Sequence, residues 1–67
     1  MKILELTRAY DRGPIAFNIK HIVSIEPVIE TNPQYIGDAK TYINTVNKIE
    51  YMVIEDYETI MRMLITI

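Results

Sequence analysis

IAFNIKHIVSIEPV, residues 15–28, is the densest apolar stretch of the chain, and its reading decides the fold. Ile15, Phe17, Ile19, Ile22, Val23, Ile25 and Val28 crowd into it, with Gly13-Pro14 before it and Pro27 near its end. β-branched and aromatic side chains fit a pleated, half-buried surface, so the composition favours strands over helix. Asn18-Ile19-Lys20-His21 breaks the alternation, and Asn accepts turn conformations by bonding its own local backbone. The stretch therefore reads as strand, short turn, strand: Ile15–Phe17, then Ile22–Glu26.

Upstream, Lys2–Arg8 alternates Leu4 and Leu6 with Glu5 and Thr7, the period of a strand with one buried face. Ile3 falls on the outer face. Asp11 and Gly13 form a turn, and Pro14 cannot donate to a ladder, so the first strand is expected to make a hairpin with Ile15–Phe17. Downstream, Pro27 confines its strand to an edge, a bulge or an end. Residues 29–41 carry turn signals at Thr31–Gln34 and Gly37–Lys40 around Tyr35-Ile36 and read as a protruding loop.

A second hairpin is expected from Tyr42–Val46 and Ile49–Ile54, with Asn47-Lys48 as a two-residue type I′ loop. That loop would set Val46 opposite Ile49, Asn44 opposite Tyr51 and Tyr42 opposite Val53 on one surface. On the other it would set Thr45 opposite Glu50 and Ile43 opposite Met52. Two largely apolar surfaces are more than a thin monomer core uses. Ile43, Met52, Ile54 and Met63 are accordingly the expected interaction residues. Tyr57, Ile60, Met61 and Leu64 then recur at helical spacing, so a C-terminal helix is expected within residues 56–65, capped by Asp56. Glu55, Asp56 and Glu58 complement the positive end of that helix. The fold class that follows is α+β, mainly β: about five short antiparallel strands in a small barrel-like or meander sheet, with one C-terminal helix.

The chain has 67 residues, which suits a single domain spanning residues 1–67. A domain this short buries only about 60% of its unfolded surface and needs further support. Cysteine is absent, so neither disulfides nor thiolate metal sites supply it, and the single His21 does not make a zinc site. Association between copies, most simply as a dimer, is the support left. Another protein is the second expected kind of partner. The formal net charge of −2 gives no overall drive towards nucleic acid or an anionic membrane. No apolar run reaches the ~20 residues of a membrane span. The start of the chain has no signal-peptide pattern, so a cytoplasmic location is expected.

Chemistry is sparse. The acidic cluster of Glu55, Asp56 and Glu58 is accounted for by helix capping, one histidine makes no triad, and the isolated Gly13 and Gly37 make no phosphate-cradling loop. No catalytic, cofactor-binding or metal residue is assigned, and no enzyme is expected. The five tyrosines and four methionines read as packing and interface residues.

Several of these positions resemble the FlbD-type family of small flagellar and swarming-motility proteins, with relatives in phages and bacteria. The likeness lies in Leu6-Thr7-Arg8, in Asn18 followed by His21-Ile22-Val23-Ser24-Ile25-Glu26, and in the junction Val53–Ile60. It implies a small accessory protein without catalytic residues. A second likeness is to CsrA-type RNA-binding proteins, which share an early Leu-Thr-Arg, five short strands and a helix after a Glu-rich junction. That likeness implies an RNA regulator using Arg8, with Arg12 and Lys20 as further contacts, although Glu55-Asp56 stands where that family has a basic residue.

Overall fold

The computed structural model describes residues 2–29 and 39–67. It contains five strands, β1 (Ile3–Thr7), β2 (Pro14–Asn18), β3 (Ile22–Pro27), β4 (Thr41–Thr45) and β5 (Glu50–Val53), and one helix, α1 (Tyr57–Thr66). All pairings are antiparallel. β1 and β2 form one hairpin, while β3, β4 and β5 form a meander. The two sheets touch where β1 ends: Arg8 bridges Val53, Ala9 N donates to Met52 O at 2.9 Å, and Ile54 N donates to Thr7 O at 3.0 Å. β2 and β3 do not pair, so the fold is a small α+β sandwich of two sheets and not a closed barrel.

The alternation in the first strand holds. Leu4 faces Phe17 and Leu6 faces Ile15 across the β1–β2 ladder, all on the core side, with Ile3 and Glu5 outside. Asn18 turns the chain as its chemistry demands, its side-chain oxygen accepting from Lys20 N at 3.0 Å to start a single 3-10 turn, Ile19–His21. Val23 sits at a bulge in β3, which with Pro27 interrupts that edge strand and blunts it against edge-to-edge pairing. Val28 N donates to Lys40 O at 2.9 Å, so the two chains flanking residues 30–38 still run side by side. The greater part of the segment expected to be a loop, with its two turn signals, lies outside the described residues.

The core is Leu4, Leu6, Phe17, Ile43, Val53 and Ile60, with Met61, Met63 and Leu64 of α1 packed onto it. Phe17 meets Tyr51 edge to face at 5.3 Å, joining the two sheets. α1 extends to Thr66, beyond Leu64 where the apolar spacing ends. Its end is held by Thr66 Oγ1 donating to Met63 O at 2.9 Å and by Lys2 Nζ donating to Ile67 O at 3.1 Å.

The second hairpin differs from the two-residue reading. Ile43 stands opposite Tyr51 and Tyr42 opposite Met52, one place away from the expected register. The loop has three residues, Val46–Lys48, with Lys48 N donating to Thr45 O at 2.9 Å and Thr45 N to Ile49 O at 3.1 Å. Of the loop residues only Lys48 takes a left-handed conformation, at φ 66°, whereas a type I′ turn needs two positive φ values. A one-residue slip exchanges cross-strand partners. Ile43 thereby joins Thr41 and Val53 on the core face, fully buried, and Met52 goes to the outer face. Ile43 and Met52 therefore share no patch, and Ile43 is a core residue of the single chain.

The left-handed Lys48 carries a Cβ where glycine meets no steric cost. Lys48→Gly is expected to stabilise the fold by roughly 0.5 kcal/mol, the relief of strain outweighing the extra freedom of glycine in the unfolded chain. Urea melts of the two proteins measure it.

Candidate interaction surface

Strand directions alternate, so the molecule has two ends. The basal end gathers the start of β1, the 3-10 turn, the β4–β5 loop and the last turn of α1. Three hydrogen bonds tie these pieces together: Lys2 Nζ to Ile67 O at 3.1 Å, Ile19 N to Lys2 O at 3.2 Å, and Val46 N to His21 O at 2.9 Å. Six of the large exposed hydrophobic residues lie here: Ile3, Val23, Val46, Ile49, Ile65 and Ile67. Ile65 is 82% exposed and Val46 58%. Lys2, Lys20 and Lys48 lie among them. Residues 2–3, 18–23, 45–49 and 64–67, which build this end, include no Asp or Glu. Glu5 and Glu50 are the first acids beyond it along the strands.

Beside this surface lies an open cleft of about 340 Å³ between the end of β2 and the β4–β5 loop. Phe17, Asn18, His21, Thr45, Asn47 and Tyr51 line it. Asn18 already accepts from Lys20 N, and the Thr45 hydroxyl donates to Asn47 Oδ1 within the loop. One imidazole is the only ionisable side chain in this lining besides the Tyr51 phenol, so the cleft holds no carboxylate–imidazole pair to relay a proton.

The cap end carries the acidic cluster, and its members have separate tasks. Asp56 accepts from Thr59 N at 2.8 Å, the N-cap bond of α1. That hydrogen bonding with Thr59 holds the Asp56 carboxyl below its ordinary value of 3.8. Glu58 makes a loose pair with Arg62 at 3.8 Å on the exposed helix face. Glu55 does neither: its carboxylate reaches β1, accepting from Thr7 N and from Thr7 Oγ1, each at 3.0 Å. Its carbonyl accepts from the buried Thr41 hydroxyl at 2.7 Å. Glu55 is therefore a clamp between the first strand and the strand-to-helix junction, a role outside its expected part in capping. Among the described residues no three His, Cys, Asp or Glu converge on a metal-sized site.

No family model, curated protein or solved structure matches this chain. Its surface is thus read from geometry alone. Arg8 and Arg12 lie in the β1–β2 turn at the cap end, and Lys20 lies at the basal end. Arg8 is held by Asp11 at 3.0 Å and lies over the Tyr10 ring at 5.9 Å. The three cations expected to meet RNA are therefore not brought together. Of the expected interaction residues, Ile43 is buried, Met63 packs on the core, and Met52 and Ile54 are half-buried. The basal hydrophobics were not among them, because residues from four distant segments compose that end. No helix of the described residues is long and apolar enough to cross a membrane.

The cap bond makes a specific prediction. Asp56→Ala is expected to cost about 0.5–2 kcal/mol and Asp56→Ser to be near neutral. Because the folded carboxyl titrates below 3.8, the contribution is complete above that value and disappears as the pH falls through the lower folded-state value. Urea melts at pH 7 and under acid conditions should show the gap between wild type and Asp56→Ala narrowing in acid.

Proposed function

We propose that the chain is a non-enzymatic accessory module, a cytoplasmic protein of bacterial or phage type, that works by associating with copies of itself through the basal end. The supporting observation is the gathering of exposed Ile and Val side chains there. The likeness to FlbD-type motility proteins agrees with an accessory role. The RNA-binding reading has less support, since Arg8 and Arg12 lie at the opposite end from Lys20.

Light scattering coupled to size exclusion tests the proposal. Wild type should give a mass above the 7.8 kDa of one chain, rising with concentration. Val46→Asp combined with Ile65→Asp should return it to one chain with circular dichroism unchanged, because both side chains are exposed in the fold. Wild type at one chain's mass under all concentrations would end this reading.

A further inference from the structure

We propose that the outer edge of β2, with the cleft beside it, takes up an extended segment of another protein as an added strand. This uptake is independent of the self-association above. β2 pairs with β1 alone, and no strand of the described residues lies on its other side. The phase of the β1–β2 ladder is set at its two ends, where Arg8 N donates to Gly13 O at 2.8 Å and Ile19 N to Lys2 O at 3.2 Å. Bonded and non-bonded pairs alternate in an antiparallel ladder. Leu6–Ile15 and Leu4–Phe17 are therefore the bonded pairs, and the backbone groups of Pro14, Ala16 and Asn18 point away from β1.

Proline has no N–H, and the Asn18 carbonyl is taken up by the 3-10 turn that starts there. The edge then presents two donors, the N–H groups of Ala16 and Asn18, and two acceptors, the carbonyls of Pro14 and Ala16. Among the described residues no loop backbone bonds to any of these four groups, and Pro14 and Ala16 are exposed. Donors and acceptors spaced along a strand edge are matched by one chemistry, another extended main chain. β3, the outer strand of the other sheet, is interrupted by its bulge and by Pro27, whereas the β2 ladder runs in one register from Pro14 to Asn18.

The cleft of about 340 Å³ adds side-chain selectivity, since Ala16, Phe17 and Asn18 of this same strand line it with Tyr51 and His21. Side chains of an added strand alternate, and those level with Phe17 point to the same face as Phe17. The aromatic pair of Phe17 and Tyr51 there suits an apolar side chain. No carboxylate lines the cleft. Lys20 follows Asn18 by two residues, and Lys48 adjoins Asn47 of the lining. The segment that fits is therefore an extended peptide with an apolar residue for the cleft and an Asp or Glu beside it for the lysines.

The experiment pans a random-peptide phage library against wild type and synthesises a selected peptide as the probe. Its titration into isotope-labelled protein is read from amide chemical shifts. The Ala16 and Asn18 amides should shift, and the selected peptides should carry an apolar residue flanked by Asp or Glu. N-methylation stepped along the peptide should weaken binding about tenfold at every second residue and little between, the pattern of a bonded strand. Ala16→Pro removes a donor that the fold does not use and should weaken binding at least as much, while Ala16→Ser should not. If Ala16→Pro does not fold, the methylation pattern decides by itself. A library that yields no binder, a methylation effect without alternation, or binding that leaves Ala16 and Asn18 in place would overturn the proposal. Movement of the Ala16 amide on dilution of the protein alone would assign the edge to a second copy and overturn it as well.

Discussion

Ile43→Glu is expected to leave no folded protein at 25 °C, whereas Met52→Glu is expected to fold and lose less than about 1 kcal/mol. The two residues are both on the second hairpin and both apolar, and only the register separates them. Ile43 is fully buried on the core face, cross-strand from Tyr51 and Ile25. A carboxylate there is either desolvated without a partner or protonated at a large cost. Domains of this size have roughly 3–10 kcal/mol of stability in total, which such a cost exhausts. Met52 is half-buried on the outer face, where Arg8 and Tyr10 lie against it. A glutamate in that position keeps access to water and gains a guanidinium nearby. Circular dichroism with urea melts measures both. Equal tolerance of the two substitutions would show that the hairpin pairs in the other register.

Glu55→Ala is the second large effect, expected at about 2–3 kcal/mol, since two charge-assisted bonds are lost and Thr7 N loses its acceptor in a part-buried place. Glu55→Gln keeps one acceptor oxygen for Thr7 N and should lose roughly half as much. Thr7→Val removes the hydroxyl but leaves the backbone bond, and should cost about 1 kcal/mol. Combined with Glu55→Ala it should add little, because the two residues share one interaction. A double variant whose losses simply add would show that the carboxylate stabilises the fold by some other contact.

These effects separate what the sequence makes legible from what it does not. The β1–β2 hairpin, the turn at Asn18 and the cap at Asp56 follow from local rules: the hairpin pairs consecutive strands, and the turn and cap join residues two and three places apart. Leu4 and Leu6 announce their buried face because a strand alternates with a period of two. The β4–β5 register was not legible. It depends on whether Lys48 accepts a left-handed backbone, a conformation most often taken by Gly, Asn or Asp, and Asn47 beside it set the expected loop's start one residue late.

The Glu55 clamp was hidden for a different reason. Its partner is 48 residues away, and capping gave an adequate local account of any carboxylate at that position. The basal end was hidden most completely. Lys2, Lys20 and Lys48 belong to separate segments, and a net charge of −2 conceals that the fold gathers these three lysines at one end.

The central claim is that the basal end, and not the sheet faces, is where copies meet. An amide chemical-shift map recorded over a dilution series of uniformly labelled protein tests it directly. The expected shifts fall on residues 2–3, 18–23, 45–49 and 65–67. The amides of Glu5, Asn44 and Met52, between the ends, should stay in place. Shifts confined to those mid-strand residues, with the basal end silent, would contradict the account.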